Sequence, residues 1–295
     1  TYRKIFGSNY IKRIFTDTRL IGVQILMLHL YQALAAQTQQ WREAGYPCKE
    51  YPVMGEILDW QTDAETGNLR YLRKPQLRAL EAYWYLRVVK GTPHIFDLYR
   101  ELYPKAAELL EVLGLAHDDI RNYVLNEGLD SLWHRLKTDD DFVRNFRLEA
   151  LRESLSLDYP SYIFALAMGA GKTVLIGAII ATEFAMALEY PDSPFALNAL
   201  VFAPGKTIVQ ALRELSRVPY ERILPPRLYK PFAASVKLTF TRDGETDIPV
   251  IHNSRFNLVV TNIEKIRITA ETIRKSDLGS LFSEQVLHKA KGEIA

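Results

Sequence analysis

The chain has 295 residues, a formal charge of +2 and a single cysteine. Its 48% apolar and 24% charged composition is that of a soluble globular protein, long enough for one large domain or two ordinary ones, and excludes a disordered or fibrous chain. One cysteine, Cys48, excludes an intrachain disulfide and fits a reducing, cytoplasmic setting, while near-neutral charge leaves nucleic acid open, since a local basic strip matters more than the sum.

Residues 1–68 read as an N-terminal extension. It opens with Arg3, Lys4, Lys12, Arg13 and Arg19, which read as a solvated surface. The chain starts at Thr1 rather than Met, shows no signal peptide, and reads as part of something longer. Leu20 to Trp41 carries no formal charge, yet Gln24, His29, Gln32, Gln37, Gln39 and Gln40 interrupt it, so a buried soluble helix is expected rather than a membrane span.

Residues 69–157 read as mainly helical. A helix is expected to begin near Pro75, because proline suits a first turn where its missing N–H is not needed. Leu77, Leu80, Trp84 and Arg87 then recur at spacings of three and four. Asp139-Asp140-Asp141 before Phe142 reads as a helix N-cap with helpful negative charge; a metal site is the sharper alternative.

The character changes in residues 158–295. Ser161 to Ala167, Asn198 to Ala203 and Phe256 to Thr261 read as buried strands, and Val236 to Thr241 alternates like a half-exposed one. Helices are expected over Thr173–Leu188 and Thr207–Leu215. Strands alternating with helices imply an α/β fold with a mostly parallel sheet.

Within that pattern lies Leu166-Ala-Met-Gly-Ala-Gly-Lys-Thr173, set between an expected strand and an expected helix, as a phosphate-binding loop must be. Gly169, Ala170 and Gly171 let backbone N–H groups approach phosphate oxygens, and the helix N-terminus adds its positive dipole end. Lys172 is expected to meet the β- and γ-phosphates of ATP, and the Thr173 hydroxyl to help hold Mg²⁺. A second Gly-Lys-Thr, residues 205–207, follows Ala203-Pro204 in place of the glycine that wraps phosphates, so it reads as a helix start facing a different anion. The six histidines show no metal-ligand spacing.

With these stretches together, the chain resembles the superfamily 2 helicases and translocases, and most of all the DEAD/DEAH-type motor of type III restriction enzymes. Residues 166–173 resemble helicase motif I. Leu200-Val-Phe-Ala-Pro-Gly-Lys-Thr resembles motif Ia, Asn257-Leu-Val-Val-Thr-Asn the later strand ending in Thr-Asn, and Leu72-Arg-Lys-Pro-Gln the upstream adenine-reading element. The resemblance implies a RecA-like P-loop lobe after residue 157. It implies that Gln76 bonds the adenine edge of ATP, and that Pro204, Gly205, Lys206, Thr261 and Asn262 contact one strand of double-stranded DNA. It also implies an endonuclease further downstream and a methyltransferase partner of the complete enzyme.

Two departures stand beside it. Gln76 lies 96 positions before Lys172, a wide gap that an inserted helical segment would explain. No Asp-Glu pair follows Lys172 at a strand end, so this chain alone is expected to hydrolyse ATP negligibly. Two other classes stay open: a P-loop kinase or ATPase with a non-nucleic-acid substrate, and a DNA-binding module with a vestigial nucleotide site.

Overall fold

The structure is a computed structural model that describes residues 29–157, 159–203, 212–240 and 254–262. The chain divides into two compact units. One is formed by Thr1–Ala33 with Tyr99–Arg152, the other by Leu34–Leu98 with Glu153–Ala295. Of the residues in the wide gap before Lys172, Tyr99–Arg152 cluster with Thr1–Ala33 rather than with the loop. Residues 69–98, with the Leu-Arg-x-x-Gln element, belong to the same unit as the phosphate loop.

The described part of the first unit is helical: the end of α4 (Ile95–Leu102), then α5 (Ala106–Val112), α6 (Asp118–Glu127), α7 (Leu129–Thr138), α8 (Asp140–Phe146) and most of α9 (Glu149–Leu155). Leu109, Ile120, Leu132, Leu136 and Val143 are among its buried apolar positions. The acidic triplet acts as expected of a cap. Asp139 Oδ1 accepts the Phe142 N–H at 2.8 Å, and Arg135 Nε donates to Asp139 Oδ2 at 3.0 Å. Among the described residues no three His, Cys, Asp or Glu side chains gather as a metal site would need.

The second unit takes in most of α1 (Leu30–Glu43), then α2 (Val53–Asp59) and α3 (Lys74–Trp84), which runs into a π-helical turn at Tyr85–Val89. It continues with α10 (Lys172–Glu189), β1 (Asn198–Ala203), a 3-10 turn at Arg213–Arg217, α11 (Tyr220–Ile223), α12 (Pro226–Ser235), β2 (Val236–Phe240) and β3 (Phe256–Asn262). The described part of α1 buries only Thr38 and Trp41, so it is an amphipathic surface helix rather than the buried one expected. Among the described residues no helix is long and apolar enough to cross a membrane.

The three strands form a parallel sheet in the order β1-β3-β2, which makes the fold α/β. Central β3 is buried from Phe256 to Thr261, as an apolar run covered on both faces must be. On one sheet face lies α10, apolar around nearly its whole circumference and correspondingly buried. Phe184 meets Phe256 at 5.4 Å between ring centroids, and Trp84 and Leu80 of α3 pack into the same core. Gly177 lets the layer close: a Cβ there would lie 3.3 Å from the Tyr220 hydroxyl and 3.4 Å from Leu215 and Val218.

One expected strand is not formed. Residues 161–167 are extended and alternate between exposed and half-buried, but they pair with no described strand. Tyr162, Phe164 and Leu166 turn inward, with the Tyr162 hydroxyl donating to the Pro93 carbonyl and Phe164 facing Tyr83. Ile163 stays 82% exposed. The expected burial is not met either, since no residue of 161–167 is fully buried; a strand also needs a partner edge, and the three described strands pair with one another. The expected helix over Thr207–Leu215 lies mostly outside the described residues.

Candidate functional site

The loop at residues 167–173 closes by a bond from the Ala170 N–H to the Ala167 carbonyl at 3.2 Å. Gly169 and Gly171 take left-handed conformations, φ +76° and +79°, on either side of Ala170. Glycine alone adopts this backbone at little cost. Gly171 is the residue from which α10 springs. The N–H groups of the first turn that follows have no partner within the helix, and the macrodipole places partial positive charge there.

Lys172 is exposed, and its ammonium folds back to the Ala167 carbonyl at 3.1 Å, so its charge lies across the loop. Thr173 is half-buried one residue further on. Backbone N–H donors, a helix N-terminus and a lysine ammonium on one loop make a donor set that suits a phosphate chain. Thr173 would supply one hydroxyl toward a phosphate-bound Mg²⁺.

Residues from α3 complete the loop. Arg73 Nη1 donates to the Gly169 carbonyl at 3.0 Å. Gln76 Nε2 donates to the Gly171 carbonyl at 2.9 Å, while its Oε1 accepts the Arg73 N–H at 2.7 Å. Gln76 is thus bonded to the backbone of the Gly169–Thr173 loop, across 95 positions of sequence. Arg73 was quoted in that element without a role. The signal that could have found it is the helix start: a long cationic side chain beside a first-turn glutamine reaches whatever loop that glutamine faces.

Behind the loop, α10 is held to α3 and to its π-helical turn by buried polar contacts. Trp84 Nε1–H donates to the Thr182 hydroxyl at 3.0 Å. The Tyr83 hydroxyl and Arg87 Nε donate to Glu183, which also accepts the Ala196 N–H at 2.8 Å. Burial first, and the neighbouring Glu183 carboxylate second, push the Tyr83 phenol well above its ordinary range. Burial opposes the charge on Arg87, but its bond to Glu183 carries the guanidinium upward overall. Periodicity did not single out Glu183, because it sits in an otherwise apolar helix.

The other expected site residues are less gathered. Thr261 is at the C-terminal end of β3, level with Phe202 of β1, and is 0% exposed. Asn262 ends the same strand, level with Ala203. Pro204, Gly205, Lys206 and the side chain of Asn262 lie outside the described residues. Compared with family models, with curated proteins and with solved structures, the chain finds no significant match in any of the three.

Proposed function

We propose that the chain grips the phosphates of ATP, with Mg²⁺, at Gly169–Thr173, and forms the first part of an ATP-dependent DNA helicase or translocase that resembles the type III restriction motors. In this reading the parallel sheet is the start of a RecA-like lobe. One observation carries it: Gly169 and Gly171 are both left-handed at the N-terminus of α10, with the Lys172 ammonium folded over the loop. Supporting it, β1 and β3 run parallel and end side by side, so that sequence following β1 and the Thr-Asn end of β3 emerge at one end of the sheet. Open parallel sheets bind ligands at the carboxyl ends of their strands.

The Lys172→Ala variant is the direct test. This chain should bind Mg-ATP, and the variant should lose that binding. Full-length protein should turn over ATP faster with double-stranded DNA present. Unchanged turnover on adding DNA would sink the motor reading and leave a P-loop ATPase or kinase with another substrate. The burial of Thr261 favours that second reading, since a covered hydroxyl cannot touch a DNA backbone without moving.

A further inference from the structure

The resemblance assigns Gln76 to the adenine edge, but the geometry points to a different task. We propose that Gln76 and Arg73 are positioning residues that set the phosphate loop, and that Gln76 does not read the base. This rests on the phosphate-site reading above and deepens it.

Both ends of the Gln76 amide are engaged within the protein. Oε1 holds the Arg73 N–H at 2.7 Å and Nε2 holds the Gly171 carbonyl at 2.9 Å. The residue is 3% exposed, so no open face is left against which a base edge could lie. A reader of bases needs amide atoms that a ligand can reach, as in any paired-donor recognition of adenine. Gln76 offers its atoms inward, to backbone.

Those backbone atoms matter to the loop. The N–H and C=O of one peptide plane point in opposite directions. The Gly171 carbonyl is held by Gln76 Nε2 and by the Leu175 N–H at 3.2 Å. Fixing that carbonyl fixes the opposite direction of the Lys172 N–H, the first free donor of α10. Arg73 acts two peptides earlier: by holding the Gly169 carbonyl at 3.0 Å it fixes the plane whose Ala170 N–H closes the loop onto the Ala167 carbonyl. Two glycines in left-handed conformations are permissive on their own. Gln76 of α3 and Arg73, at the N-cap of that helix, remove that freedom before a ligand arrives. Preorganisation of this kind raises affinity without a contact to the ligand.

Space around Gly171 supports the same role. A Cβ on Gly171 would overlap Gln76 Nε2, so the amide is packed directly onto the loop backbone. By contrast, a Cβ on Gly169 would meet nothing within 4 Å. The side chain packed against the loop is therefore Gln76, at the glycine that starts the helix.

The test uses three probes on the whole chain: Mg-ATP, Mg-GTP and the base-free tripolyphosphate. Gln76→Ala should weaken all three by the same factor, about tenfold for one lost bond to a preorganised loop, and leave the GTP-to-ATP affinity ratio unchanged. Gln76→Glu keeps an acceptor for the Arg73 N–H, so the helix start survives, but its carboxylate cannot donate to the Gly171 carbonyl; it should show the same uniform loss. Arg73→Ala should weaken all three probes, and Arg73→Lys, which keeps a donor, should restore part of the loss. Loss of ATP affinity with tripolyphosphate affinity unchanged in Gln76→Ala would make Gln76 a base reader and overturn the proposal. Tight binding by the unaltered chain that none of the variants changes would overturn it too, while leaving the phosphate site standing. An unaltered chain that binds none of the probes would overturn the phosphate-site reading, and the positioning role with it.

Discussion

Glu183 accepts the hydroxyl of Tyr83 at 2.6 Å, and the same carboxylate oxygen takes Arg87 Nε at 2.9 Å. One buried carboxylate of α10 thereby joins α3, its π-helical turn and the backbone ahead of β1. Taking it away leaves the Tyr83 phenol and the Ala196 N–H without this acceptor, and the Arg87 charge with only the Thr92 hydroxyl and the Pro194 carbonyl in a largely buried place. Glu183→Ala is expected to destabilise the protein by about 3 kcal/mol or more, the usual cost of breaking a buried pair from one side. Urea denaturation measures it, and a change below about 1 kcal/mol would show that water replaces the carboxylate.

Two glycine substitutions separate backbone strain from steric overlap. Gly169→Ala and Gly171→Ala both force a side chain into a left-handed backbone, at about 1–2 kcal/mol each. Only at Gly171 does the new Cβ also overlap Gln76. Gly171→Ala should therefore lower the melting temperature more than Gly169→Ala. Adding Gln76→Ala to Gly171→Ala should cost less than Gln76→Ala alone, because removing the amide also relieves the overlap that the new Cβ creates. Additive melting shifts would show that the loop moves aside freely.

Alkali should unfold the protein through its buried phenols. Burial, with Tyr71 nearby, raises the Tyr220 hydroxyl from 10.0 to about 12 in the folded chain. Its stabilising contribution is complete below pH 10 and is lost as pH rises toward 12, because the unfolded phenol releases its proton first. Tyr220→Phe should flatten the fall of stability across that window, at some cost below it from the lost 2.7 Å bond to the Leu215 carbonyl. Denaturation midpoints read at successive pH values test this. An unchanged slope in the variant would assign the alkaline loss to other groups.

Acid acts on the helical unit in the opposite sense. The Phe142 N–H, and then Arg135, hold the Asp139 carboxyl below its ordinary value. Its stabilising contribution is present above the ordinary carboxylate range and is lost as pH falls through the lowered folded value. Far-ultraviolet circular dichroism should show Asp139→Ala less helical than the unaltered chain at neutral pH. The gap should close in acid. A gap that persists at low pH would mean that the carboxylate's charge is not what caps α8.

Much of this was legible in the sequence, and for identifiable reasons. β3 and α10 announce themselves because each is apolar in a period that its surroundings enforce, continuous in β3 and nearly all-round in α10; β1 carries the same continuous apolar run but is only half-buried, with Phe202 44% exposed. Gly169 and Gly171 announce themselves by conformation, since few residues take a positive φ at little cost. Residues 161–167 carry the period of a strand, but pairing depends on a neighbour that a local pattern does not contain. Glu183 hides among alanines and phenylalanine because its partners, Tyr83 and Arg87, lie about a hundred residues away in sequence. Gln76 was found through its motif, but the direction its amide faces came only from the packed fold.

The bond from Gln76 to Gly171 spans 95 residues, and the helices of Tyr99–Arg152 lie between its two ends in sequence. Closing so long a flexible segment costs about 4 kcal/mol of chain entropy before any reward is felt. That cost shrinks if the intervening helices form first, since their contacts are local and quick to make. During synthesis α3 emerges long before the glycines it must hold. If the intervening helices form first, they would act as a kinetic spacer, their folding speed setting how soon Gln76 and Gly171 can meet.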